Sequence, residues 1–261
     1  MRKGVLMMKN NLESLLKIKN QTETSCDLYF YGDIVDNWLG AWDNEDKYPQ
    51  LIKEFLDEAV GKNINIYINS GGGSVFAGMA IYNMLKRHKG HKTVYVDGLA
   101  GSIASVIALA GDKVIIPNNA YMMIHKPWSG LYGNSNELRE MANTLDKIEE
   151  GILNIYAENL VEGVELETIK EMVNNETWLT GEEASKYFNI EVSNPVEAVA
   201  CASDYFEKYN KVPKNISNEN VTRATEENVE NVTRATDENE VAANINNETE
   251  KDMLLMELDL I

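Results

Sequence analysis

The sequence has little of several residue types on which whole classes of protein depend. It contains two cysteines, Cys26 and Cys201, and three histidines in 261 residues. With no CxxC pair and no HExxH sequence, neither a disulfide framework nor a zinc site is indicated. A GxGxxG sequence and the lysine of a phosphate-binding loop are missing as well, which argues against a nucleotide. We therefore predict that the protein uses no metal and no cofactor.

Basic residues and long apolar runs are also scarce. Lysine and arginine number 24 against 42 aspartates and glutamates, so the net charge is −18. Phosphate groups would be repelled by this charge, which argues against nucleic acid and anionic membranes as partners. The apolar run at residues 5–8 is too short for a signal peptide, and no other stretch approaches a membrane span. We expect a cytoplasmic protein.

Apolar residues instead follow the periods of alternating strands and helices. This alternation predicts a layered α/β fold with a mainly parallel sheet. Crossovers in such folds are right-handed, so the loops after the strands share one edge of the sheet, where ligands bind. The segment Gly-Leu-Ala-Gly at 98–101 predicts a sharp turn. Strands are predicted at 26–35, 63–69, 93–97, 113–117, 120–125 and 190–192, and helices at 48–60, 75–88, 103–110, 134–160, 166–173 and 181–188.

The composition changes beyond residue 211. Two consecutive segments of 11 residues, NVTRATEENVE and NVTRATDENEV, form a tandem repeat at 220–241, and residues 211–261 hold 12 acidic and five basic residues. A polar, acidic segment with almost no aromatic residues cannot bury enough surface to offset the entropy of ordering it. We therefore divide the chain into an N-terminal extension at 1–24, a globular domain at 25–210 and a disordered tail at 211–261.

Ser102 stands at the junction of a buried strand and a buried helix. It follows Gly101 and precedes the apolar run at 103–110. Free N–H groups and the helix dipole favour negative charge at such a junction, and a nucleophilic serine needs this because its attack on a carbonyl generates an oxyanion. The same position suits a serine that only caps the helix. The residues around Ser102 leave both interpretations open.

Three other features bear on the role of Ser102. The turn SGGGS at 70–74 exposes backbone N–H groups that suit an oxyanion hole, although a tight turn without a ligand has the same sequence. His125 ends an apolar strand, where a histidine is either a general base or part of the core. Glu176 lies in a polar break before Trp178 and is either the acid that orients His125 or a solvated carboxylate.

Taken in chain order, these segments resemble the Clp protease proteolytic subunit family, which has the crotonase-like superfold. The resemblance runs from about residue 26 to residue 192, and implies a layered α/β fold with a protruding long helix at 134–160. The segments that carry it are INSGGGSVFAGMAIYNML at 68–85, DGLAGSIASVIALAG at 97–111, MMIHKPWSG at 122–130 and ETWLTGEEASKYFNIEV at 176–192.

The resemblance implies a role for each part of the site. Ser102 is then the nucleophile, His125 the base and Glu176 the orienting acid, and the chemistry is that of a Ser-His-acid triad. The oxyanion hole is formed by the backbone N–H groups of Gly72 and Ile103. An extended substrate adds as a strand between two segments. The substrate-binding residues implied are Gly71, Gly73, Ser74 and Val75 on one side, and Trp128 and Gly130 on the other.

The chain departs from the family pattern at three places. Gly71 stands where the family usually has proline, Glu176 stands where it usually has aspartate, and the segment DNWLGAWDNEDKYPQL at 36–51 differs from housekeeping members. The last difference and the acidic tail favour the Clp-like proteases of phage head assembly, with capsid or scaffold proteins as partners. A housekeeping peptidase fed by an AAA+ unfoldase is the alternative.

These observations predict a serine endopeptidase that acts on polypeptides inside a homo-oligomer of stacked rings, with helix 134–160 at the interface between rings. Two other functions are compatible with parts of the pattern, namely an inactive assembly scaffold and a crotonase-like acyl-CoA enzyme. Glu176 is expected to stabilise the imidazolium form of His125, which would place the pKa of that histidine near or above about 6.5.

Overall fold

The structure is a computed structural model that describes residues 22–36, 47–195 and 208–213. Predictions made for Cys201, for the acidic repeat and for most of the N-terminal extension lie outside these residues, as do those for 37–46. In chain order the described elements are β1 (Ser25–Phe30), α1 (Pro49–Glu58), β2 (Asn63–Ser70), α2 (Val75–Arg87), β3 (Lys92–Gly101), α3 (Ile103–Ala108), β4 (Lys113–Pro117), β5 (Tyr121–Ile124), α4 (Ser135–Glu158), α5 (Leu166–Asn174), β6 (Thr177–Thr180), α6 (Gly181–Ala184) and β7 (Glu191–Ser193).

The strands of the described part form one sheet with the order β1-β2-β3-β4-β7. All of these neighbours pair in parallel, and β5 pairs in parallel with the end of β3. Strand β6 pairs antiparallel with β5. The predicted α/β class and the mainly parallel sheet are therefore confirmed.

Strand β2 shows why the sequence forms this sheet. Its isoleucines Ile64, Ile66 and Ile68 are at most 1% exposed, because alternate residues of a strand point to the same face. On the opposite face Tyr67 stacks between Tyr29 and Tyr95, with ring centroids 4.8 and 5.2 Å apart. Such cross-strand aromatic pairs stabilise neighbouring strands, so both faces of β2 specify its position.

The prediction of a turn at 98–101 is wrong, because β3 continues through these residues to Gly101. The strand pairs with β4 as far as Tyr95, and then with β5 from Leu99 onward. The N–H of Leu99 donates to Oδ1 of Asn69 at 3.1 Å. Glycine permits a turn but does not require one, and here hydrogen bonds to neighbouring strands satisfy the backbone.

Helix α4 begins as the sequence predicts, with a capping box in which Asn134 and Glu137 satisfy each other's backbone N–H groups. Only its C-terminal half packs against the core, where Ile152 and Tyr156 are buried. Its first half projects, and Leu138 is 48% exposed. Along the described part of the chain no helix has the length and apolar character needed to cross a membrane.

A second capping box, at Thr180 and Glu183, starts α6, but this helix is much shorter than predicted. Helix α6 ends at Ala184 instead of 188. Phe188 beyond it is fully buried and packs edge-on against Tyr156, with ring centroids 5.6 Å apart. Burial of this aromatic side chain requires the chain to leave the helix.

Helices α2 and α3 approach each other closely at a glycine. A Cβ built on Gly78 would lie 2.1 Å from Cγ1 of Ile103, which is 2% exposed. Gly151 of α4 differs, because the nearest atom to its Cβ position is Cε of Met79 at 3.5 Å, an ordinary contact. The contact at Gly78 therefore fixes the start of the helix that directly follows Ser102.

We predict that Gly78→Ala lowers the free energy of unfolding by about 1–3 kcal/mol, because the added methyl group overpacks the contact with Ile103. Gly151→Ala is the matched control, and should raise the free energy of unfolding by about 0.5–1 kcal/mol through helix propensity. Urea unfolding of both variants measures the difference. A Gly78→Ala protein as stable as Gly151→Ala would contradict the packing described.

Candidate active site

Ser102 has a backbone conformation that is rare for a residue with a side chain. Its φ is 51° and its ψ is −125°. Its N–H donates to the carbonyl oxygen of Met123 in β5 at 2.8 Å, which holds the turn against the neighbouring strand. Its hydroxyl makes no capping hydrogen bond with α3. The helix-cap interpretation is therefore wrong, and the strained turn directs Oγ elsewhere.

The hydroxyl of Ser102 instead meets His125. Nε2 of His125 lies 2.8 Å from Oγ of Ser102, so that a neutral imidazole accepting through this nitrogen takes a hydrogen bond from the serine. His125 directly follows β5, the strand that also anchors the Ser102 backbone. The two side chains are brought together because β3 and β5 are paired neighbours whose ends lie at the same edge of the sheet.

Burial lowers the pKa of His125, and the negative charge of Glu176 opposes this shift only in part. The expectation of a pKa at or above the usual value is therefore wrong. Desolvation outweighs the charge because the imidazolium loses water, while the oxygens of Glu176 are bound to Asn210, Lys211 and Trp178. His125 is neutral, and able to accept a proton, over a wider range of pH than a free imidazole.

Glu176 follows α5 with a φ of 48° and is 8% exposed, so it is not a solvated loop carboxylate. Its oxygens accept hydrogen bonds from the N–H of Lys211 at 2.7 Å and from the N–H and the side-chain amide of Asn210, both at 2.9 Å. The indole of Trp178 lies 3.4 Å away. Burial alone would raise the pKa of Glu176, but these hydrogen bonds lower it overall, so the carboxylate is ionised.

The glycine-rich turn approaches Ser102 more closely than any side chain permits. A Cβ on Gly72, whose φ is 110°, would lie 2.7 Å from Cβ of Ser102 and 2.8 Å from the carbonyl oxygen of Gly101. The N–H of Gly72 donates to Oγ of Ser70 at 3.1 Å. The expectation that Gly72 supplies an oxyanion donor is therefore wrong, because its N–H is already used within the turn.

The N–H of Gly73 takes a different direction. Ile34 donates to the carbonyl of Gly72 and accepts from the N–H of Ser74, each at 2.7 Å. In a parallel ladder of this pattern the central residue, Gly73, turns its own N–H and C=O to the opposite edge. The N–H of Ile103 is open in the same way, since the first residue of a helix has no intrahelical acceptor. Gly73 and Ile103 are thus the two donors suited to an oxyanion.

The other residues predicted to bind substrate lie in different surroundings, some at the start of α2 and some in the loop after β5. Ser74 caps α2 and Val75 is its first residue, so the extended edge of this segment ends at Ser74. Trp128 is 48% exposed and lies under the amino group of Lys208, 4.6 Å from its ring centroid. Gly130 has open space around it. Among the described residues, no hydrogen bond joins Trp128 or Gly130 to Ser102 or His125.

Several residues that hold the site were not identified from the sequence. Oγ of Ser105 donates to the carbonyl of Ser102 at 2.5 Å and therefore accepts from the hydroxyl of Tyr156, 2.8 Å away. Tyr209 packs its ring edge-on against His125, with centroids 5.0 Å apart. Nothing local marks these residues, since Tyr156 and Tyr209 are distant from Ser102 in sequence. Lys211, which was assigned to the tail, contacts Glu176 directly.

The arrangement can transfer a proton from a serine hydroxyl to a neutral histidine beside open backbone N–H donors. That is the requirement for nucleophilic attack on a carbonyl carbon. In the described part of the molecule, no three His, Cys, Asp or Glu side chains are grouped so that they could hold a metal ion.

Comparison with known proteins agrees with this geometry. The family model for Clp protease matches residues 44–191, more than half of the chain. A protein of Bacteroides fragilis strain ATCC 25285 is 32% identical over 130 residues, 49% of this chain and 61% of that protein. A protein of Ligilactobacillus salivarius is 36% identical over 150 residues, 55% of this chain and 75% of that protein. Both are named ATP-dependent Clp protease proteolytic subunit.

The match is partial in length. The chain spans 61% of that B. fragilis protein and 58% of a second one, from strain YCH46, that carries the same name. The matched region nevertheless contains Ser102, His125 and Glu176 together with all strands from β2 to β6. The chain belongs to the Clp protease family.

Proposed function

We propose that the protein is a serine endopeptidase that hydrolyses peptide bonds through an acyl-enzyme on Ser102. The observation that carries this proposal is the 2.8 Å hydrogen-bond distance between Oγ of Ser102 and Nε2 of His125. A crotonase-like acyl-CoA enzyme has no need of this pair, and a scaffold has no need of the strained turn that presents the serine. The pair supports the peptidase over both alternatives.

The reaction follows from the positions of the groups. Neutral His125 takes the proton of Ser102 as Oγ attacks the peptide carbonyl, and the oxyanion is stabilised by the N–H groups of Ile103 and Gly73. His125 then gives its proton to the leaving amine, which breaks the peptide bond and leaves the acyl group on Ser102. A water molecule, deprotonated by His125, then attacks the acyl carbon. The ester bond to Ser102 breaks, and His125 returns the proton to Oγ as the acid product leaves. The charge of Glu176 stabilises the transient imidazolium.

The substrate is proposed to be an extended polypeptide. The N–H and C=O groups of Gly73 face away from Ile34 and support binding by strand addition. The carbonyl oxygen of Gly71 accepts from Tyr209, so the substrate would pair with the segment from Gly73 onward. Trp128 and Gly130 would line the opposite side, which requires the loop at 126–133 to lie along the substrate.

We propose that copies of the chain assemble through the exposed half of α4 into stacked rings. Leu138 is 48% exposed, and Met141 and Leu145 on the same apolar stripe are only half-buried. An apolar stripe on a projecting helix supports burial against another copy.

Two biological settings fit this chemistry. The acidic repeat and the divergent segment at 36–51 support a phage-type protease of head maturation, with capsid or scaffold proteins as substrates. The names of the relatives favour a second candidate, the peptidase subunit of an ATP-dependent protease. Degradation of a folded protein that depends on an added AAA+ unfoldase and ATP would support the second setting over the first.

The triad is tested by labelling with a fluorophosphonate and mapping the modified peptide. We expect the adduct on Ser102 in the wild-type protein, and none in Ser102→Ala or, at matched times, in His125→Ala, because nucleophile and base act as one unit. Glu176→Gln should retain more activity than His125→Ala. Ser105→Ala is unsuitable as a control because the hydroxyl of Ser105 supports the turn at Ser102. The control variant is therefore Ser185→Ala, in the loop after α6. An adduct on Ser70 or Ser74 would refute the assignment.

The pH dependence of peptide hydrolysis tests the environment of His125. Its activity requires the neutral imidazole, and burial lowers the pKa of this group. Activity should therefore rise with pH through a midpoint below the value of about 6.5 that is typical of a free imidazole. In Glu176→Gln the midpoint should move lower still, since the charge that favours the imidazolium is removed. A midpoint that moves up in this variant would contradict the electrostatic role given to Glu176.

Assembly is tested by sedimentation of Leu138→Asp. A charge at this exposed site should reduce the mass of the particle and leave the melting temperature of the subunit nearly unchanged, because Leu138 contributes little to the core. Ile152→Asp, at a position 5% exposed, is the contrasting variant and should unfold the subunit. If Leu138→Asp sediments like the wild-type protein, α4 does not form the interface.

A further inference from the structure

Residues 208–213, here called the C-terminal clamp, lie against the active site although they follow β7, the last strand that the structure describes. They contact the acid, the base and the glycine-rich turn of the proposed peptidase. The matched family region ends at residue 191, so the clamp lies beyond the part of the chain that the family model describes.

The first contact is with Glu176. The backbone N–H groups of Asn210 and Lys211 donate to its two carboxylate oxygens, one to each, at 2.9 and 2.7 Å. The side-chain amide of Asn210 adds a third hydrogen bond at 2.9 Å. Glu176 thus has both oxygens fixed by the clamp. Two adjacent N–H groups form a concave donor site of the kind that binds anions, so the carboxylate is held in its ionised form.

The second contact is made by Tyr209, which is 8% exposed. Its ring packs edge-on against His125, with centroids 5.0 Å apart, and against Trp178 at 6.2 Å. Its hydroxyl donates to the carbonyl oxygen of Gly71 at 2.6 Å. One side chain therefore connects the histidine of the site with the turn that carries the N–H of Gly73.

The clamp is attached at both of its ends. The amino group of Lys208 lies over the ring of Trp128, and the amino group of Lys211 donates to the carbonyl oxygen of Asn175. Val212 packs with the buried side chains of Leu99 and Met123, next to the backbone that anchors Ser102. These contacts fix its position by charge, hydrogen bonding and apolar burial together.

We propose that the C-terminal clamp is a positioning element of the active site, which holds Glu176 and His125 in place for the reaction on Ser102. This inference rests on the proposed peptidase function. With the clamp in place, Oγ of Ser102 keeps its 2.8 Å distance to Nε2 of His125. The clamp therefore binds the acid and packs on the base while the serine and the histidine remain paired, which favours positioning over blocking.

The test compares two substitutions of one residue in the full-length protein. Lys211→Pro removes the N–H that binds Glu176, whereas Lys211→Ala keeps that N–H and removes only the side chain. We expect Lys211→Pro to lower kcat for a fluorogenic peptide, and the rate of fluorophosphonate labelling, by about 10- to 100-fold with KM nearly unchanged, as for loss of an outer group that orients a reacting one. Lys211→Ala should recover most of that loss.

Tyr209→Phe is a less disruptive variant, which tests the proposal even if the proline in Lys211→Pro unfolds the segment. Tyr209→Phe keeps the ring beside His125 and removes the hydrogen bond to Gly71, so its kcat should fall by less than in Lys211→Pro while KM again stays nearly constant. Equal kcat in Lys211→Pro, Tyr209→Phe and the wild-type protein would overturn the proposal. Faster hydrolysis in these variants would overturn it too, because the clamp would then be a segment that blocks the site.

Amide hydrogen exchange separates failure of this inference from failure of the proposed function. In the wild-type protein the amides of Asn210 and Lys211 should be protected, and Glu176→Ala should remove the protection. Fast exchange of both amides in the wild-type protein overturns the clamp whether or not Ser102 reacts. A wild-type protein with protected amides in which fluorophosphonate does not label Ser102 refutes the proposed function, and with it the role of the clamp in catalysis.

Discussion

The structure of the site depends on the place where β3 changes partners. The strand pairs with β4 through Tyr95 and with β5 from Leu99 onward, and the N–H of Ser102 donates to Met123 of β5. Because His125 ends the same strand that anchors Ser102, their 2.8 Å contact is set by backbone hydrogen bonds. A serine and a histidine held in this way by sheet pairing would need little reorganisation before a proton passed between them, and such pre-arrangement lowers an activation barrier.

Close packing of backbone on backbone is the second constraint. Gly72 lies where a Cβ would collide with Ser102, and Gly78 lies where one would collide with Ile103. Two glycines, one in a turn and one in a helix, thus allow the glycine-rich segment and α2 to approach the start of α3. The hydroxyls of Ser105 and Tyr156 support the same turn from inside the core. A strained φ at Ser102 persists because all of these contacts oppose its relaxation.

The charge states of His125 and Glu176 differ because the protein replaces the water lost by Glu176 with hydrogen-bond donors and does so less for His125. His125 loses water, and the charge of Glu176 offsets this only in part, so the pKa of His125 falls. Glu176 is compensated by several N–H donors and stays ionised. A buried carboxylate without such donors would take up a proton and lose its influence on the histidine. The clamp at 208–213 therefore matters to the charge state of Glu176 as well as to its position. The longer side chain at this position, where the family usually has aspartate, reaches a segment that lies beyond the family region.

The sequence by itself determined the α/β class and the limits of most strands and helices, because these depend on local periodicity. It also singled out Ser102, His125 and Glu176 as candidates, through short motifs and the family resemblance that they carry. Only the tertiary structure decided that Gly98 to Gly101 continue a strand and that Tyr209 and Lys211 reach the site. The physical reason is that a hydrogen bond between residues more than a hundred positions apart, such as Tyr209 to Gly71, leaves no periodic signal in the chain. Its geometry is fixed by how the layers pack.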